Sequence, residues 1–358
     1  MRDFISVELL KKVYRVSERE PGLFSAVKSL IKPSYNEVTA VDGVSFTLSQ
    51  GEMVGFIGPN GAGKTTTLKM LSGLLHPTSG SISAAGYVPF ERKTEYLRKI
   101  GFLMGNKSQL TWDNTIGDSF YILKEIYGVS DQDYKKRLTE ITELLDLEGL
   151  LKKLARTLSL GERARCELAA VLIHNPMILY LDEPTLGLDV SMQLKLRSFI
   201  REYNKKYGTT VILTSHYMSD ILSLCPRVIL INNGRLSYDG ELPGLAELVA
   251  PFRLLKFRLP ADEGQHDDLL TGMDRIMAEY HAELIETEDQ NRTLRVRKEH
   301  ILPLTSYLIQ NAVNDLTIED PPLEAVIDQV YRNGFGAEAQ YEDNKVLGVL
   351  NSSERGSL

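Results

Sequence analysis

Cysteine is almost missing from this 358-residue chain: Cys166 and Cys225 each stand alone. No disulfide framework and no Cys-x-x-Cys metal clip is available, and both read as ordinary thiols in a reducing compartment. No apolar run reaches the ~18 residues a helix needs to cross a bilayer. The opening MRDFISVELLKKVY also lacks the basic, then continuously apolar pattern of a secretory signal, so the chain is expected to stay in the cytoplasm. Low-complexity composition is absent as well. With 43% hydrophobic and 25% charged residues the chain reads as globular, and its length favours two domains. Cationic excess is missing where a nucleic-acid binder would need it. Net charge is −7, and from Ala246 onward there are 11 Lys and Arg against 21 Asp and Glu. That acidic part repels phosphate backbones, so no nucleic-acid partner is expected.

Segments of strand and helix character alternate through the first part. Ile5 to Val16 and the alternating AVDGVSFTL from Ala40 to Leu48 read as antiparallel strands, separated by a stretch holding Pro21, Gly22 and Pro33. The apolar strand Met53 to Ile57 runs into GPNGAGKTTTLKML. Ile116 to Leu151 has helix-period apolar residues and reads as a helical insert. A helix from Glu162 to Ile173, the strand MILYLDEP, a helix through Lys195 to Tyr207 and the strand TTVILTSH follow, a pattern of parallel, helix-covered sheet. INNGRLSYDGEL reads as a closing hairpin. The fold class is therefore α/β, with domains at 4–245 (helical insert about 107–165) and 246–341, the latter small and α+β, with strand-like FRLLKFRLP and TLRVRK and helices expected at Leu269 to Tyr280, Leu302 to Val313 and Leu323 to Tyr331. A polar tail, 342–358, is expected to fray.

Gly58, Gly63, Lys64 and Thr65 satisfy G-x-x-x-x-G-K-[ST] between an apolar strand and a helix, the context that phosphate loop requires. Glycines let successive backbone N–H groups turn toward phosphate oxygens, and the helix aims its positive end at the same charge. The expected nucleotide contacts are Gly58, Pro59, Asn60, Gly61, Ala62, Gly63, Lys64, Thr65 and Thr66. Lys64 would bridge the terminal phosphates, and the Thr65 hydroxyl suits Mg2+, which prefers hard oxygen ligands.

Further on, Leu158 to Glu162 reads L-S-L-G-E and precedes MILYLDEP; Gly187-Leu188-Asp189 follows, and His216 ends the next strand. This ordered set resembles the ATP-binding cassette (ABC) ATPases over residues from about 4 to 245. The resemblance implies a phosphate-loop NTPase core with an antiparallel β subdomain and a helical subdomain. It also implies ATP and Mg2+ as cofactors, and roles residue by residue. Asp182 would hold Mg2+ through water. Glu183 would polarise the attacking water as general base, and His216 would sense the γ-phosphate. Ser159, Gly161 and Glu162 would face the γ-phosphate of a second copy in a head-to-tail homodimer, with Asp189 linking the two sites and capping the next helix.

Two departures stand out. Glycine and glutamine of the usual signature are Leu160 and Glu162 here, and the acid is expected to bring a carboxylate close to a phosphate, with consequences for rate. The glutamine that usually follows the strand IGFLM falls at Asn106, with Gln109 as the alternative Mg2+ contact. For the aromatic that stacks on adenine, Tyr35 fits the family spacing best and Tyr14 is the alternative. The implied function is the ATP-hydrolysing subunit of a transporter, on the inner face of the membrane through a separate ABC-type permease. The subfamily resembled is export-type, with an extra C-terminal domain. Residues Asn106 to Asp118, with Leu110 and Trp112 expected to be exposed, would border the permease-docking groove. Other readings are a soluble cassette ATPase working on nucleic acid or ribosomes, or a slow nucleotide-dependent regulator. The absence of long heptad helices and of a second cassette argues against the former, and Glu183 with His216 against the latter.

Overall fold

The computed structural model describes residues 3–17, 35–105, 108–215, 217–249, 252–259, 272–311 and 313–322. The chain divides into two compact units, Met1–Leu242 and Pro243–Leu358.

In the first unit, β1 (Ile5–Ser17) pairs antiparallel with β2 (Tyr35–Leu48). Val44, Phe46 and Leu48 are buried while their neighbours Ser45 and Thr47 are exposed, the period-two pattern of a sheet with one wet face. β3 (Met53–Ile57) is buried at every position and leads through the glycine loop into α1 (Lys64–Leu71). β4 (Ser79–Ala84) closes the small sheet in the order β2-β1-β4.

The remaining strands of this unit are β5 (Ile100–Met104), β6 (Ile178–Asp182), β7 (Thr210–Thr214), β8 (Arg227–Asn232) and β9 (Arg235–Glu241). With β3 they form a six-stranded sheet ordered β5-β6-β7-β3-β8-β9. All neighbours are parallel except β8 and β9, the expected hairpin. One apolar core serves both sheets, and the Phe46 and Phe56 rings meet edge-on across it at 5.4 Å.

The helical insert contains α2 (Ile116–Tyr127) and α3 (Asp131–Leu144). Thr115 and Ser130 cap them by accepting backbone N–H groups of Asp118 and Asp133. α2 stops at Gly128, whose φ of 66° suits glycine. α4 (Leu160–Leu172) then returns to the core, buried from Arg165 to Leu172. α5 (Val190–Tyr207) and α6 (Met218–Leu224) cover the sheet between and after β6 and β7. Leu110 departs from expectation: it is buried at 6% exposure, whereas Trp112 is 53% exposed. The Glu167 carboxylate of α4 accepts the Ser108 hydroxyl and the Gln109 N–H, which pins this loop onto the helix and turns Leu110 inward.

The second unit runs β10 (Phe252–Arg258), α7 (272–279), β11 (Glu283–Glu288), β12 (Asn291–Arg297), α8 (Ile301–Gln310) and β13 (Asn314–Glu319). Its sheet is antiparallel and ordered β11-β12-β10-β13, the ferredoxin-like βαββαβ arrangement. Leu255, Phe257, Leu294 and Val296 from its two central strands bury against Met273, Leu304 and Leu308 of the helices. The sequence pattern marks β10, β12 and the helices but not β11 or β13. ELIETE and NDLTIE are edge strands carrying little apolar material. The expected helix at Leu323 to Tyr331 and the tail 342–358 lie outside the described residues. Among the described residues no helix is long and apolar enough to cross a membrane.

Candidate nucleotide site

The parallel strands all end at the same sheet edge, and the loops leaving β3, β6 and β7 meet there. Between β3 and α1 the backbone makes turns open only to glycine. Gly58 has φ 151°, and a Cβ there would lie 2.1 Å from the Ile231 carbonyl oxygen. Gly63 has φ 109°, and its Cβ would meet the Ala40 carbonyl oxygen at 2.5 Å. Asn60 and Gly61 at the tip are exposed, Pro59, Thr65 and Thr66 half-buried, and Ala62 buried. The hairpin tip after β8 closes over this loop. Gly234 N–H donates to the Ala62 carbonyl (3.0 Å), while its own carbonyl accepts from Asp42 N–H (2.7 Å).

Lys64 opens α1 with its ammonium folded back on the Gly58 and Pro59 carbonyls (3.0 Å to the latter), 8% exposed. Burial lowers its pKa, and the nearby Glu183 and Asp182 carboxylates oppose that shift. The Thr65 hydroxyl donates to Asp182 Oδ1 at 3.0 Å, and Thr214 donates to the same oxygen at 2.7 Å. Glu183 follows at φ 56°, a left-handed turn away from the strand, with its N–H bonded to the Thr214 carbonyl (3.0 Å) and hydroxyl (3.2 Å). Among the described residues no trio of His, Cys, Asp or Glu is grouped to hold a metal ion. The Thr65 hydroxyl and Asp182 carboxylate form a hard-oxygen pair suited to Mg2+, which takes one or two carboxylates plus substrate phosphates and water.

Behind these loops lies a buried network that the sequence did not announce. Asp220, fully buried, accepts from Thr185 Oγ1 and from Ser215 Oγ (2.6 Å), and Arg197 Nε lies 3.1 Å away. It ties the turn after Glu183 to the end of β7. His216 and Asn106 lie outside the described residues. Gln109 donates its side-chain N–H to the Phe102 carbonyl on β5 at 2.8 Å. Of the two tyrosines, Tyr14 pairs with Val38, two positions from Ala40, and Lys12 Nζ lies 5.4 Å from its ring centroid. Tyr35 pairs with Ser17 at the far end of the ribbon and is 56% exposed. Thr214 and Lys153 were not singled out from sequence. Thr214 was signalled by its place at the end of an apolar strand, and Lys153 by nothing local.

The L-S-L-G-E segment forms a second surface. Ser159 caps α4 in a reciprocal box: its Oγ accepts from Glu162 N–H (3.3 Å), and Glu162 Oε2 accepts from Ser159 N–H (2.8 Å). Lys153 Nζ sits 2.8 Å from Glu162 Oε1. Lys153 first, then the Ser159 N–H, holds the Glu162 carboxyl down at about 2. The acid expected to confront a phosphate is thus turned back onto its own helix end. Ser159, Leu160 and Gly161 border a cleft of about 400 Å3 with Gly187, Leu188 and Asp189. Asp189 caps α5, accepting Met192 N–H at 2.9 Å.

Comparison with known proteins adds to this geometry. Residues 41–186 match the family described as ABC transporter. The ABC transporter ATP-binding protein NatA of Bacillus subtilis is 34% identical over 210 residues, 59% of this chain and 85% of that protein. The Nod factor export ATP-binding protein I of Burkholderia orbicola is 34% identical over 221 residues, 61% and 71% of the two chains. The methionine import ATP-binding protein MetN of Bacillus subtilis is 33% identical over 219 residues, 60% and 64%. Among solved structures, the dimeric post-hydrolysis state of the ATP-binding cassette MJ0796 with ADP and Pi superposes with TM-score 0.55. It is 24% identical and covers 66% of this chain and 98% of that one.

Proposed function

Given that this chain belongs to the ATP-binding subunits of ABC transporters, we propose that it dimerises head to tail around ATP and drives a separate membrane permease in the export direction. One observation carries the reading: Lys64 and Thr65 of the glycine loop meet Asp182 and Glu183 at one sheet edge. A phosphate cradle and an acid pair share one place.

In this proposal the loop N–H groups and Lys64 grip the phosphates. Thr65 and Asp182 would hold Mg2+, which when bound neutralises phosphate charge. Glu183, held at the left-handed turn that ends β6, orients and deprotonates water aimed at the γ-phosphate. His216 keeps the γ-phosphate-sensing role that the resemblance gives it. Either Asn106 or Gln109 completes the cation's surroundings, and Gln109 would first have to release Phe102. Register favours Tyr14 over Tyr35 for stacking on adenine, because at about 3.4 Å per residue Tyr35 lies much farther from the loop beside Ala40.

The signature end of α4, with Ser159 and Gly161, would meet the partner's γ-phosphate, and Asp189 would join the two sites. The dimeric structure of the MJ0796 cassette is the precedent for two cassettes pairing. We take the export direction from the resemblance to the export-type subfamily; the Nod factor export protein and the methionine importer MetN match this chain equally well, at 34% and 33% identity. Trp112, Tyr121, Ile122 and Ile126 leave apolar surface exposed on the helical insert, a face suited to the permease, which would bring the chain to the membrane.

The test is Glu183→Gln. Hydrolysis should fall at least about a hundredfold while ATP produces a stable dimer in light scattering. Unchanged turnover would remove Glu183 from the role of base. A chain that stays monomeric with ATP after this substitution would overturn the sandwich.

A further inference from the structure

We propose that Lys153 is a positioning residue for the signature end of α4, holding the Glu162 carboxylate against Ser159 and balancing its charge so that an acid-bearing helix end still accepts a phosphate. The proposal rests on the reading that Ser159 and Gly161 face the partner's ATP.

A carboxylate in the first turn suits the helix dipole, yet it competes with any incoming anion for the same positive field. Glu162 resolves this by position and by charge. Oε2 is engaged by the Ser159 N–H at 2.8 Å and Oε1 by Lys153 Nζ at 2.8 Å, so both oxygens point back along the chain. Lys153 itself is carried on a fixed segment. Its carbonyl accepts Ile116 N–H at 3.0 Å and its N–H donates to Leu150 at 2.9 Å, next to a bridge between Thr115 and Leu154. With 46% of the lysine side chain exposed, the pair adds little to folding. Its placement beside the cleft of Ser159, Gly161 and Asp189 is where its charge has an effect.

Lys153→Met should raise the ATP concentration for half-maximal hydrolysis about tenfold, the scale of one partly screened charge, with an unchanged melting temperature. Lys153→Arg should restore it. In a Glu162→Gln background, Lys153→Met should change it by less than about twofold, since the charge to be balanced is gone. Equal losses in both backgrounds, or no loss in the natural one, would overturn the assignment. Ser159→Arg, measured alongside, separates the premise from the proposal: if ATP still dimerises that variant, the phosphate-facing role of the helix end itself is overturned.

Discussion

His174 illustrates how burial sets the behaviour of a single side chain. Its ring stacks on Tyr127 at 3.8 Å and 5°, Nε2 lies 2.8 Å from the Ile100 carbonyl, and it is 8% exposed. Burial pushes its pKa down to about 4, so the folded chain keeps it neutral where the unfolded chain, at an ordinary ~6.5, takes up a proton. The unfolded state binds more protons between those values. The neutral ring's contribution is therefore complete above about 6.5 and erodes as pH falls toward 4, by up to roughly 3 kcal/mol. His174→Gln should flatten this part of the profile when melting temperatures are compared between about pH 4.5 and 7. Tyr14 and Tyr35 give a second test at this scale. Tyr14→Ala should weaken ATP binding about tenfold and Tyr35→Ala less than twofold in fluorescence titrations, the size of an aromatic stacking contact. Sequence spacing pointed to Tyr35 because the residues between the two tyrosines hide which of them is close to the loop. Only the pairing of Val38 with Tyr14 reveals it.

At the scale of elements, the phosphate loop was legible because its chemistry is local: glycine, lysine and threonine act within one strand-to-helix turn. Gly63→Ala should cut nucleotide affinity roughly tenfold to a hundredfold in the same titrations, since φ 109° and the Ala40 carbonyl leave no space for a Cβ. The capping of α4 was half legible. Ser159 and Glu162 spell a capping box, but the resemblance drew attention to Glu162 as a neighbour of phosphate rather than of its own helix end. Leu110 was misplaced because the force on it comes from Glu167, far along the chain on another helix. β11 and β13 were missed for a physical reason too: edge strands bury little, so their alternation is weak in the sequence.

For the whole molecule, alternating strand and helix signals were enough to foresee a helix-covered parallel sheet, but not its strand order or the ferredoxin-like layout of the second unit, since neighbours in a sheet are set by crossovers. A chain of two compact units should melt in separable steps. ATP binds only the folded first unit in this scheme, so adding it with Mg2+ should raise that transition in calorimetry and leave the other in place. Equal shifts in both would show that the units unfold together. The hairpin tip at Gly234 bears on how the molecule comes into being. Because Ala62 and Asp42 both await partners from the very end of the first unit, the cradle stays unfinished on the ribosome until that hairpin has emerged. A chain stopped before Gly234 should therefore hold ATP more weakly than one that includes it, because the hydrogen bonds that Gly234 makes beside the phosphate loop are missing.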